Sequence, residues 1–201
     1  MEPEPQRCWP TNDPLYRAYH DEEWGRPVAD ERGIYERLCL EGFQSGLSWL
    51  TILRKREAFR EAFAQFDPES IARFQPRDVD RLLQDARIVR HRGKIEAAIA
   101  NARATLELRD HSQPLNELFW SHAPASNPAP RTPADWQATT PESTALSKLL
   151  RRHGFRFVGP TTVYASMQAC GVVNDHLGGC FVREDVERER AAAAINRPAA
   201  S

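Results

Sequence analysis

Apolar residues along this chain recur at helical intervals and nowhere alternate. Ile34, Leu38, Glu41 and Ser45 are spaced by 4, 3 and 4. Ile52, Phe59, Phe63 and Phe66 come next at 7, 4 and 3, and Ile95, Ile99, Ala102 and Leu106 at 4, 3 and 4. Such intervals place side chains on one face of a helix, whereas a strand would need a period of two. Start signals agree with the stripes. Asp13 before Pro14, Asp30 before the Ile34 stripe and Ser48 before Ile52 all read as N-caps, and Asp67-Pro68 and Pro76 punctuate the chain after the Phe66 stripe. The Asp30 helix is expected to break at Gly42 or Gly46, and the Ser48 helix to run until Asp67-Pro68. Leu146, Leu149 and Leu150 mark a later helix, and Gly159-Pro160 opens one carrying Val163 and Met167. With no period-two run and no internal repeat, the expected fold is all-α, a compact array of about nine or ten short helices.

At 201 residues, with 41% hydrophobic and 27% charged side chains, one soluble globular domain is the expectation. It is placed at 8–182, between a flexible N-terminal tail (1–7) and a charge- and alanine-rich tail (183–201) without a core face. Residues 123–141 hold five prolines, longer than a usual connector, and Trp136 is positioned to pin that loop to the body. A net charge of -1 argues against a protein that coats nucleic acid through bulk positive charge, but leaves room for a local basic patch. No basic-then-apolar leader and no long apolar run is present, so no membrane association and a cytoplasmic location are expected, with the chain a monomer. The four cysteines, Cys8, Cys39, Cys170 and Cys180, then read as buried thiols or metal ligands rather than disulfides.

Three groups of residues carry chemistry. Glu41 shares its helical face with Ile34 and Leu38, so it points toward the interior unless the helix is rotated and the carboxylate solvated. If interior, it lines a pocket to which Trp49 adds a flat wall, an arrangement suited to a planar ligand with N–H donors or positive charge. Tyr16, Tyr19 and His20 form an aromatic stripe that is either core or pocket wall, and their polar tips need partners in the first case. Second, Cys8 and His20 near one end and His176-x3-Cys180 near the other make a Cys2His2 set. Such a set can close a tetrahedral zinc site and staple the chain ends, although its spacing is not that of a zinc knuckle and also suits isolated core or surface residues. Third, Arg87, Arg90, His91, Arg92, Gly93 and Lys94 crowd a turn at about 84–95 between two apolar-faced helices. That is either a solvated charge run or a helix-hairpin-helix element, which grips DNA phosphates without reading sequence.

Taken together, these stretches resemble type I 3-methyladenine DNA glycosylase, the zinc-containing branch of the helix-hairpin-helix glycosylases. The matching text is Asp13-Pro14-Leu15-Tyr16, Tyr19-His20-Asp21, Glu23-Trp24-Gly25, Leu40-Glu41-Gly42, Gly46-Leu47-Ser48-Trp49, Arg90-His91-Arg92-Gly93-Lys94, Phe157-Val158-Gly159, Met167 to Gly171 and Asn174-Asp175-His176. It extends from about Cys8 to Cys180, and it is specific as a combination rather than piece by piece. The resemblance implies structural zinc on Cys8, His20, His176 and Cys180. It implies a base pocket in which Glu41 hydrogen-bonds the alkylated adenine, Trp49 stacks on it, and Tyr16, Tyr19 and Trp24 complete the wall. Trp9 falls near a further aromatic position, in a Cys8-to-Asp13 segment one residue shorter than the family pattern. Arg90, Arg92, Gly93 and Lys94 would contact phosphates.

The substrate would be alkylated double-stranded DNA and the product free 3-methyladenine, by base flipping and hydrolysis without strand cleavage. N3-methylation already makes the base a good leaving group, so no general base and no Schiff-base lysine is assigned. Arg87 stands where the family hairpin has glycine. If that position needs a positive φ, arginine is strained there. The alternative reading is a zinc-stapled helical DNA-binding module with no productive pocket.

Overall fold

The computed structural model describes residues 6–111 and 113–195. Ten α-helices and two short 3-10 turns run through them, with no strand. They are α1 (Pro14–Glu22), α2 (Glu31–Gln44), α3 (Trp49–Ala62), α4 (Pro68–Ala72), α5 (Pro76–Gln84), α6 (Arg92–His111), α7 (Leu115–Ser121), α8 (Pro141–Arg152), α9 (Pro160–Ala169) and α10 (Arg183–Ile195). Most starts are set locally. Asp13 accepts from the Leu15 and Tyr16 amides with Pro14 in the first turn, Asp30 accepts from Gly33 N, and Ser48 accepts from Thr51 N.

The α2 helix is the axis of the core. It packs against α3, α6, α7 and α9, while α4 lies along α6 and α8 along α9. Its residues Ile34, Tyr35, Leu38, Leu40 and Phe43 are buried with Ile52, Phe59, Phe63 and Phe66. Burying such aliphatic and aromatic side chains contributes about 1.5–3 kcal/mol each. The helix runs through Gly42 to Gln44, and the chain turns at Gly46, whose φ is +82°. A second cluster gathers Cys8, Tyr19, Trp24, Leu53, Leu177 and Cys180, and Trp49 borders both.

The structure departs from the pattern-based reading in several places. The α3 helix stops at Ala62 rather than continuing to Phe66. Ala64, Gln65 and Phe66 all have positive φ, and this left-handed turn swings Phe66 back to stack on Phe63 at 5.8 Å. Helix α7 escaped the periodicity reading, although Leu115, Leu118 and Phe119 are buried on one face of it. Over 183–195 the expected core-less tail is instead α10, anchored by the fully buried Val186. At the other end Arg7 pairs with Asp21, and Gln6 O accepts from Phe181 N. The remainder of both expected tails, 1–5 and 196–201, lies outside the described residues.

Trp136 does pin the Pro-rich loop, its indole N–H donating to Asp175 O at 2.9 Å. Asn127 adds two bonds, accepting from Asn174 N and donating to Asp175. No helix among the described residues is long and apolar enough to cross a membrane.

Candidate active site and metal centre

Cys8, His20, His176 and Cys180 come together in the second cluster, all buried, with their ligand atoms within 4.8 Å of one another. Cys8 Sγ is 3.2 Å from His176 Nδ1, and Cys180 Sγ is 3.5 Å from both His176 Nδ1 and His20 Nε2. A tetrahedral ion with bonds of about 2.3 Å to sulfur and 2.05 Å to nitrogen would hold S and N about 3.5 Å apart, so the set fits a closed four-ligand cation site. The other ring nitrogens are already engaged. His20 Nδ1 lies 2.7 Å from Asp21 Oδ1, and His176 Nε2 lies 2.9 Å from Trp24 O. Each imidazole therefore donates outward and turns its lone pair inward. A hydrogen bond from Cys8 favours the Cys180 thiolate and raises the Cys8 thiol pKa, a proton arrangement that a cation would replace. Gly25, at φ +80°, passes so close that a Cβ there would stand 3.1 Å from the His176 ring.

Glu41 lies on the same core-facing side of α2 as Leu38, and only 6% of it is exposed. No described residue gives its carboxylate a hydrogen bond, and burial alone pushes its pKa up to about 8. Around it stand the rings expected of a pocket. Tyr19 and Trp49 have centroids 5.2 Å apart, Tyr16 stacks on Tyr19 at 6.5 Å, and Trp9 tilts onto Tyr16 at 5.2 Å. Burial and then the Glu41 charge raise the hydroxyl pKa of both Tyr16 and Tyr19. The indole N–H groups of Trp9 and Trp49 are buried without an acceptor. This site combines π faces with a carboxyl that lacks a counter-charge, and it therefore favours a flat cation.

Trp24 is placed differently. It sits behind Trp9 (5.0 Å) and against His176 (4.6 Å), so it joins the metal cluster to the pocket wall. Trp9, edge-on to His20 at 4.7 Å, is the ring shared by the two.

The basic turn spans 85–91, between α5 and α6. Arg87 is not among the positive-φ residues, so the strain expected of an arginine in place of glycine does not arise. Its guanidinium is held by Asp85 (2.9 Å) and Glu61 (2.7 Å). Arg92 pairs with Asp80 and Glu96 on the surface. Arg90 is exposed and has no ion pair among the described residues. His91 Nδ1 accepts from Lys94 N at 3.2 Å, which caps α6, and Gly93 lies in the first turn.

Lys94 corrects the reading of it as a phosphate contact. It is buried, and its ammonium donates to Phe43 O at 2.9 Å and Ser45 O at 2.5 Å. Its charge thus satisfies the C-terminal carbonyls of the helix that carries Glu41. Desolvation lowers its pKa. A cavity of about 520 Å3 lies elsewhere, under the Pro-rich loop beside Trp136, Tyr164 and Asp175.

A family model described as methyladenine glycosylase matches residues 9–184. The chain is 51% identical over 179 residues to DNA-3-methyladenine glycosylase 1 of Escherichia coli, spanning 87% of this chain and 95% of that protein. It is 44% identical over 178 residues to DNA-3-methyladenine glycosylase of Haemophilus influenzae, spanning 87% and 96%. A crystal structure of 3-methyladenine DNA glycosylase I superposes with a TM-score of 0.85 at 50% identity, covering 88% of this chain and 98% of that one. The Staphylococcus aureus enzyme, solved for its recognition of 3-methyladenine, superposes with a TM-score of 0.83 at 37% identity, covering 86% and 93%. With the family model spanning nearly all of the described helices and these relatives matched along most of their length, the chain belongs to the methyladenine glycosylase family.

Proposed function

We propose that this protein is a base-excision repair enzyme that hydrolyses the N-glycosidic bond of 3-methyladenine in alkylated double-stranded DNA. It releases the free base and leaves an abasic site. The observation that carries this reading is the buried Glu41 carboxyl, which has no donor among the described residues and stands among Tyr16, Tyr19 and Trp49, in a chain 51% identical to a named glycosylase of this kind.

An alkylated adenine nucleotide leaves the stack and enters between the rings of Trp49 and its neighbours. The N3-methylated base is a cation, and its positive charge beside Glu41 draws the carboxyl toward its ionised form, which accepts from the base N–H donors. Neutral adenine supplies no such charge and leaves Glu41 without a counter-ion in a desolvated site, so discrimination is electrostatic. As the C1′–N9 bond breaks, its electron pair neutralises the departing base. Water adds to C1′ and loses a proton to solvent. Because the leaving group needs no protonation, the site needs no general acid.

The 85–91 turn acts as the hairpin of a helix-hairpin-helix element. Its phosphate contacts are Arg90, which has no ion pair among the described residues, the Arg92 guanidinium, which must exchange its carboxylate partners, and the Gly93 amide in the first turn of α6. Cys8, His20, His176 and Cys180 hold zinc, which fastens the N-terminal segment to the chain around α10 and supplies no chemistry to the bond being cleaved.

Detection of free bases released from methylated duplex DNA by mass spectrometry tests the function. Wild-type protein should release 3-methyladenine, and Glu41→Gln should release almost none. A folded, metal-loaded wild-type protein that binds DNA yet releases no base would identify a non-catalytic DNA-binding module instead.

A further inference from the structure

Helix α1 brings Tyr16 and Tyr19 to the base pocket, and helix α3 brings Trp49. The width of the slot between these rings is therefore set by how α1 and α3 sit on each other, and among the described helices α1 packs chiefly on α3. The rings do not fix that width themselves. Tyr19 and Trp49 meet tilted at 46° with centroids 5.2 Å apart, and a base that stacks on Trp49 competes with Tyr19 for the same ring.

Two ion pairs cross from the α1 segment to α3. Arg54 meets the cap residue Asp13 at 2.5 Å, but its side chain is 60% exposed, and pairs of that kind contribute little. Arg56 is only 14% exposed and forks onto Glu23, with Nη1 donating to Oε2 at 2.5 Å and Nη2 to Oε1 at 2.8 Å. Its Nε is buried without an acceptor among the described residues, so the guanidinium leaves one donor unpaired in order to meet Glu23 end-on. The register ties this fork to the slot. Glu23 follows Tyr19 by four residues and Arg56 follows Trp49 by seven, so on each helix the charged residue lies on the side of the ring, one turn and two turns along. Leu53 fills the level between them, buried with Tyr19 and Trp24.

We propose that Glu23 and Arg56 are positioning residues for base excision. Their fork holds α1 and α3 at the separation that lets a flat alkylated base lie against Trp49 beside the tyrosines, and it acts through the rings rather than on the base. Two parallel bonds resist both sliding and twisting of one helix on the other, which the single point charge of a lysine does not. This inference rests on the glycosylase reading above, and the test separates the two.

Four proteins are compared: wild type, Arg56→Lys, Arg56→Met and the double variant Glu23→Met with Arg56→Met. For each, affinity for free 3-methyladenine is read from tryptophan fluorescence, single-turnover base release from methylated duplex DNA, affinity for an undamaged duplex from anisotropy, and stability from urea unfolding. The double variant replaces both partners of a largely buried pair by apolar side chains, a change that leaves stability near wild type. Arg56→Met and the double variant should each bind the free base and release it from DNA about 10- to 100-fold less well, the loss expected when a reacting group is misplaced by about 1 Å. Arg56→Lys should fall between them and wild type. Affinity for the undamaged duplex should stay at the wild-type value, because the hairpin is untouched.

Wild-type base affinity and release in the folded double variant would overturn the proposal. So would a double variant that loses stability and base binding together while Arg56→Lys keeps both, because the pair would then be a brace for the fold alone. If wild type itself releases no base from methylated DNA, the glycosylase reading falls and the slot with it.

Discussion

Replacing Glu41 by glutamine keeps the shape of the side chain and removes its proton equilibrium, and the structure sets how much that should matter. Burial raises the Glu41 pKa from the ordinary 4.5 to about 8. Below pH ~4.5 the carboxyl is protonated in both folded and unfolded chains, so it imposes no penalty. As pH rises toward 8, the unfolded chain has released its proton while the folded chain still holds it, and stability falls. Above the folded pKa both states are ionised and the full penalty is present. At ~1.4 kcal/mol per pH unit, the interval between 4.5 and about 8 corresponds to roughly 5 kcal/mol, of which about 3 is already present at pH 7. Glutamine has no such term.

Urea unfolding of wild type and Glu41→Gln at pH 5, 7 and 9 reads the difference directly. The variant should be similar to wild type near pH 5 and more stable by about 3–5 kcal/mol at pH 9. For a chain of this size that is a melting difference of about 6–20 °C. The same variant should have lost base release, so activity and stability should move in opposite directions. Curves that track each other within about 1 kcal/mol across the range would refute the reasoning, because they would mean that Glu41 is hydrated or donor-paired in the folded protein.

Other perturbations report on the remaining parts. Lys94→Met removes two charge-assisted bonds from the end of the Glu41 helix and should destabilise by about 2–4 kcal/mol in urea unfolding, with slower base release and an unchanged salt slope for DNA binding. Cys180→Ser should abolish stoichiometric zinc in elemental analysis and lower stability by at least ~3 kcal/mol, and chelation of the wild type should do the same. Arg90→Ala should weaken DNA binding and reduce the salt slope by about 1, whereas Arg87→Ala, whose guanidinium is already paired with Asp85 and Glu61, should change the slope far less.

The helix starts at Asp13, Asp30 and Ser48 are legible along the chain because a cap is made with amides two or three residues on. The Ile34–Glu41 stripe is legible for the same reason, since one turn of helix suffices to bring its members onto a common face. The stripe puts Glu41 on the face of Ile34 and Leu38 but leaves a rotated helix open, and Trp49, on the next helix, meets Tyr19 only in the fold. Val186 and α10 were obscured by a run of charge and alanine with one apolar anchor, too sparse for a periodic signal. The left-handed turn at Ala64–Phe66 has no glycine to announce it, and it persists because the buried Phe63–Phe66 stack holds it. Arg87 is the converse case, a substitution for glycine that signals strain in the sequence and meets none in the fold.

Lys94 shows where local reading ends. Among Arg90, His91 and Arg92 it looks like one more surface cation, yet its ammonium reaches Phe43 O across 51 residues of sequence. Cys8 and His176, two of the four residues that could hold a metal ion, are separated by 168 residues and become a set only through resemblance or through the fold. The sequence by itself therefore determined the helical class, most of the caps and the shared face of Ile34, Leu38 and Glu41, because these depend on interactions within a turn or two. Tertiary structure alone decided which charges are buried and what they meet, because desolvation and pairing depend on chain segments that only packing brings together.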